Sequence, residues 1–169
     1  ATSYVVSERI LKKTPEQKAL IRNHLEKFCG LYTGMSSRLE EFVDLFPIHP
    51  SYIDVFNKLY LIENRHILKN ISTTIKGIFD TSVPENAPGI ISFDNYWPAI
   101  KSNGLLKSDP TISRVVGASQ QLEDIITRAF LKPAYKPMAM QIIYALSVHR
   151  LTTNGLDVQF GMTAENLKD

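Results

Sequence analysis

Prolines at Pro15, Pro50, Pro110 and Pro137 each stand at the head of a run whose apolar residues recur three and four positions apart. In the first turn of a helix a proline sacrifices no hydrogen bond, because that N–H has no partner inside the helix; further in, it breaks the ladder. The pattern therefore predicts an all-α, multi-helix chain in which prolines punctuate successive helices. TPEQ (14–17) supplies the first start: Thr14 at the N-cap, Pro15 next, and Gln17 as the reciprocal cap. Ile21, Leu25 and Phe28 follow at helical spacing, with CGLYTG (29–34) expected to end the helix through its glycines. A second helix is expected from about Ser36, burying Leu39, Phe42, Val43 and Phe46.

LFPIHPSY (45–52) is the sharpest corner. A residue before proline is pushed out of the α region, so Phe46 and His49 should be extended, with Pro47 and Pro50 fixing the angle. A helix carrying Tyr52, Ile53, Val55, Phe56, Leu59 and Tyr60 should follow, then a bend near Ile62 and Glu63, then a helix over 63–79. TSVPENAPG (81–89) is a loop by its prolines and glycine. It divides the chain into a helical subdomain 1–80, a loop 81–90 and a second helical subdomain 91–169. In the second, ISFDNYWPAIKSNG (91–104) reads as a short helix complicated by Pro98. SDP (108–110) caps a long helix with Ile112, Val115, Ser119, Leu122, Ile126 and Ala129 on one stripe. After the KPAYKP corner (132–137), residues 137–148 are apolar nearly all round and read as a buried central helix. Asn154-Gly155 carries the one hairpin signal. The chain opens on Ala1 and closes on GMTAENLKD, which reads as a helix just begun at Thr163; a piece cut from a longer protein is expected.

Composition narrows the function classes. With 44% apolar and 21% charged residues the chain can bury a core. A net charge of +2 does not by itself demand nucleic acid. The single Cys29 fits a reducing, cytoplasmic setting and, without a Cys/His cluster, no metal site is expected. The apolar stretch 137–148 falls short of the roughly 20 residues a membrane span needs. No residue set here forms a phosphate loop, a nucleophile elbow or a zinc-binding H-E-x-x-H, so no catalytic residue is assigned.

The remaining candidates are local. His49, rigidly held, would suit a ligand or base; the plainer reading is a histidine that caps a helix end or packs on a neighbour. Glu63-Asn64-Arg65-His66 heads an apolar stripe, where an arginine could reach a phosphate or simply face solvent. Lys132, Tyr135 and Lys136, with Arg150 further on, mix cations and an aromatic ring as a nucleic-acid patch does, or form an ordinary helix-end charge set.

Four stretches carry a family likeness: LKKTPEQKALIRNHLEKF (11–28); LFPIHPSYIDVF with ENRHILKNIS (45–56 and 63–72); PGIISFDNYW (88–97); and KPAYKPMAMQIIYALSVHRLTTNG (132–155). In these the chain resembles an internal helical region of the large P-loop ATPases of BREX and phage-growth-limitation antiphage systems. The resemblance implies a non-catalytic lid or regulatory module of an ATP-driven defence protein. ATP and Mg²⁺ would be bound elsewhere in the intact protein. The implied partners are the rest of the parent ATPase, DNA and other antiphage proteins, with no membrane. It further implies AAA-lid-like helices followed by the start of a helix-turn-helix or winged helix, formed by 137–151, the Asn154-Gly155 turn and the helix from Thr163. On it, Arg65 takes the place of the second-sensor arginine that contacts nucleotide phosphate, and Pro47, His49 and Pro50 form the corner into the lid. A DNA-binding module and a protein-interaction scaffold are the rival expectations.

Overall fold

The computed structural model describes residues 2–59, 64–78, 80–153 and 161–168. The chain is all-α, with no strand among the described residues. It resolves into two compact units, Ala1–Ser92 with Lys168–Asp169, and Phe93–Leu167.

The first unit holds α1 (Thr2–Arg9), α2 (Pro15–Glu26), α3 (Thr33–Ser37), α4 (Leu39–Leu45), α5 (Pro50–Lys58) and α6 (Asn64–Gly77). The start of α2 forms as the sequence dictates. Thr14 Oγ1 accepts from the Gln17 N–H, and Gln17 Oε1 accepts from the Thr14 N–H. Its end does not: α2 stops at Glu26, and neither Gly30 nor Gly34 has positive φ. What stops it is tertiary. Leu25 and Phe28 turn into a cluster with Met35, Phe42 and Val43, and the chain must bend to bring α4 onto α2. The helix expected from Ser36 is two short ones, broken at Arg38 (φ −128°, ψ 25°). Phe42 and Val43 are buried; Leu39 and Phe46 lie half-buried on the same cluster.

Segment 81–91 folds back onto this unit. Gly89 has φ +70°, and a Cβ there would sit 3.0 Å from Pro84 Cδ, so only glycine suits both the backbone and the space. Ile90 then packs on the Leu25–Phe42 cluster, and His24 Nε2 meets the Pro88 carbonyl at 3.2 Å. In α6, Ile71 is buried and Ile75 is half-buried; Ile78, just past its end, is exposed. The bend expected at Ile62–Glu63 and the helical placement of Tyr60 and Phe79 lie outside the described residues.

The second unit begins with a 3-10 turn (Phe93–Tyr96) that runs into α7 (Trp97–Ser102), followed by α8 (Pro110–Ala129) and α9 (Lys136–Thr152); α10 (Ala164–Lys168) comes last. Pro98 is no complication: it falls in the first turn of α7, where its missing N–H is not needed. Asp109 caps α8 by accepting from the Thr111 and Ile112 N–H groups. The stripe expected on α8 holds at Ile112 and Ser119, with Val115 and Ile126 half-buried, and departs at Leu122, whose place Glu123 takes, and at exposed Ala129. Ile112, Ser119 and Glu123 are buried, while Leu122 is 47% exposed. Glu123 takes the seam because Lys101 of α7 meets it there, a pairing that an apolar count overlooks. The expectation that α9 is buried all round is also corrected. Ile143, Ser147, Val148 and Leu151 are buried, while Met138 and Ile142 face solvent at 63% and 37%. The turn at Asn154-Gly155 lies outside the described residues.

Candidate functional site

The FPIHP corner is the most constrained stretch of the first unit. Phe46 (φ −49°, ψ 135°) and His49 (φ −67°, ψ 138°) are extended, as proline sterics require. Between them Ile48 pairs with Ile91 in an isolated parallel bridge: the His49 N–H donates to the Ile91 carbonyl at 2.9 Å, and the Ile91 N–H donates to the Pro47 carbonyl at 2.8 Å. The His49 ring does two structural jobs. Its Nδ1 accepts from the Ser51 N–H at 3.0 Å, capping α5, so the ring proton of the neutral imidazole sits on Nε2. The ring also stands edge-on to Phe42, 4.8 Å between centroids. Pro50, Ile48 and Tyr52 are buried around it. Among the described residues no three His, Cys, Asp or Glu side chains gather as metal ligands would.

Arg65 is the second residue of α6, six residues past the buried Leu59 that closes α5. The side chains of Glu63, Arg65 and His66 lie outside the described residues.

The patch expected on the second unit is brought together only in part. Lys132 Nζ stands 5.7 Å from the Tyr135 ring centroid, and Tyr135 is 56% exposed. Lys136 lies beside them, its ammonium donating to the Thr127 carbonyl at the end of α8. Leu131, next to Lys132, is 93% exposed. Arg150 belongs elsewhere: 14 residues along α9 carry it about 21 Å from Lys136, where it donates to Thr153 Oγ1 at 3.1 Å.

A third place was not legible in the sequence. Leu11, Lys12, Lys13, Gln17, Leu20, Ile21 and Phe46 line an open groove of about 350 Å³ on the first unit. Lys13 is half-buried and its Nζ donates to two carbonyls, Leu11 at 2.9 Å and Asp44 at 2.7 Å. Burial drives its pKa down to about 8; Asp44 opposes that shift and Lys18 adds slightly to it. Lys18 in turn is held by the Asp44 carboxylate at 2.7 Å. Adjacent Lys12 is exposed. Nothing in LKKT tells the two lysines apart. Which one is buried depends on where α4 ends, 31 residues on.

Fold and sites together define a two-unit helical domain whose first unit is organised around a proline–histidine corner. By sequence it belongs to the DUF6079 second-domain family, whose model matches residues 14–169. No curated protein and no solved structure matches it. No helix among the described residues is long and apolar enough to cross a membrane.

Proposed function

We propose that this chain is a non-catalytic, lid-like regulatory module of a large antiphage-defence P-loop ATPase. The observation that carries the reading is the FPIHP corner. The Pro47–Ile91 and His49–Ile91 hydrogen bonds, the His49 cap and the Phe42 stack fix the direction in which α5 leaves the corner. A lid needs such a joint, because the angle of its helices decides whether an arginine they carry reaches the nucleotide. The resemblance of residues 45–56 and 63–72 to the helical region of these ATPases supports the same assignment, and the family's description as a second domain agrees with a module among others.

On this reading ATP and Mg²⁺ belong to a phosphate loop elsewhere in the intact protein, and Arg65 contributes a phosphate contact. Arginine suits that contact because its planar fork can hold two phosphate oxygens and its charge is permanent. Arg65→Ala in the intact ATPase should slow hydrolysis by roughly 10- to 1000-fold, the range seen when one donor to developing charge is removed. The melting temperature of this chain alone should hardly move. Unchanged turnover with a clearly destabilised chain makes Arg65 structural and removes the lid assignment.

A DNA-binding module is the second reading, favoured by the exposed Lys132–Tyr135 pair beside Lys136. Duplex binding that weakens steeply with salt supports it; binding unaffected by Lys132→Ala with Lys136→Ala removes it.

A further inference from the structure

We propose that Lys13 is a nucleophilic amine set in an apolar groove, placed to condense with the carbonyl carbon of an aliphatic aldehyde. The hydrogen bonding around Nζ is the first observation. It has two protein acceptors, the Leu11 and Asp44 carbonyls. A neutral amine has two N–H donors and one lone pair, so these two acceptors hold both hydrogens and leave the lone pair for the open groove that Lys13 lines; in the ammonium form the third N–H meets water in that same groove. The groove is the second. Leu11, Ile21 and Phe46 give it apolar walls, and Leu20 at its rim is 71% exposed, so an alkyl chain bound there would cover surface that the fold leaves in water. The lowered pKa agrees with both, and desolvation is the usual device by which lysines become Schiff-base formers. The charged groups about Nζ are Asp44, whose carboxylate is engaged by Lys18, then Lys18 itself and the exposed Lys12.

In the step, the Nζ lone pair adds to the aldehyde carbon while the carbonyl π pair moves to oxygen. Both Nζ hydrogens then leave with that oxygen as one water, and C=N replaces C=O. No oxidant is required. The neutral carbinolamine keeps one N–H for one of the two carbonyls.

The test uses the folded chain, hexanal and cyanoborohydride, with peptide mapping by mass spectrometry. Lys12, exposed but on the same groove, is the internal reference for amine reactivity, and Lys107, exposed and outside the groove, is the reference for the alkyl preference. At pH 7.4 a pKa of about 8 leaves about 20% of the amine neutral, against about 0.1% for an ordinary lysine. The lower basicity weakens the nucleophile by about tenfold if amines follow the dependence known for thiols. Lys13 should therefore be labelled roughly tenfold faster than Lys12, with a rate that levels off above about pH 8. Glycolaldehyde, which lacks the alkyl chain, should show a smaller preference. Leu20→Ser, which removes apolar surface without adding charge, should reduce the hexanal preference while leaving the pH midpoint in place. Lys13→Arg, which preserves donors to both carbonyls, should abolish the label with an unchanged circular dichroism spectrum. Labelling of Lys13 no faster than Lys12 overturns the proposal and leaves Lys13 as a cap on the end of α4. An equal preference for glycolaldehyde and hexanal overturns the role of the groove.

Discussion

Among the interactions that replacing His49 by alanine removes, two have sizes known separately; a further contact, Nδ1 with Ser51 Oγ at 2.6 Å, shares the acceptor of the first. The first is the N-cap of α5, the Ser51 N–H to Nδ1 bond at 3.0 Å; caps of this kind contribute about 1 kcal/mol. The second is the edge-on contact with Phe42 at 4.8 Å, for which aromatic pairs show about 0.5–1.5 kcal/mol beyond area burial. Together they predict a loss of about 2 kcal/mol for His49→Ala. Asparagine separates the two contributions, because its Oδ1 can take the place of Nδ1 as cap acceptor but cannot stack: His49→Asn should lose about 1 kcal/mol, half as much. Urea unfolding followed by far-ultraviolet circular dichroism measures both, and amide exchange at Ser51 reports the cap directly, slowing again in the asparagine variant. An alanine variant within about 0.5 kcal/mol of the parent, the scale of an ordinary surface change, would refute the assignment of His49 as a structural corner residue. So would an asparagine variant as unstable as the alanine one. A histidine held for chemistry gives a third pattern, since removing functional groups commonly leaves a fold as stable or more so.

Two other perturbations follow from charged side chains. Lys101→Met strands the Glu123 carboxylate, 8% exposed, with Ser119 Oγ as its remaining side-chain donor; the change should lose about 2–3 kcal/mol, and Lys101→Met with Glu123→Leu should recover most of it in the same unfolding assay. Lys13 should make stability rise with pH. Its folded pKa of about 8 lies below the ordinary lysine value of 10.5, so between those values the unfolded chain binds more protons than the folded one. The penalty is complete below about pH 8 and fades towards pH 10.5. After discounting for partial exposure, wild type should gain about 1–2 kcal/mol on Lys13→Met between about pH 8 and pH 10 in chemical denaturation; a pH-independent difference would show that burial of Lys13 carries no electrostatic penalty.

The helix starts were legible because they are local. Thr14 with Gln17, His49 with Pro50, and Asp109 with Pro110 each satisfy or dispense with N–H groups within three residues, so a short window of sequence contains the cause. The extended backbone at Phe46 and His49 has the same origin, the clash each proline imposes on its predecessor. Stops and faces were not local. Gly30 does not end α2; the turn of Leu25 and Phe28 into the Phe42 cluster does. The exposure of Met138 and Ile142 on an apolar helix, and the burial of Glu123 on an amphipathic one, depend on which neighbour arrives and with what partner. The same holds for the sites. The residue types at the FPIHP corner could be picked out in the chain, but the duty of His49 needed Phe42, Ser51 and Ile91 in place. Lys13 differs from Lys12 in no sequence property. It becomes half-buried and loses basicity only because the Asp44 carbonyl near the end of α4 and the apolar side chains of Leu11, Leu20, Ile21 and Phe46 come together about it, and burial is a property of the assembled fold rather than of the chain.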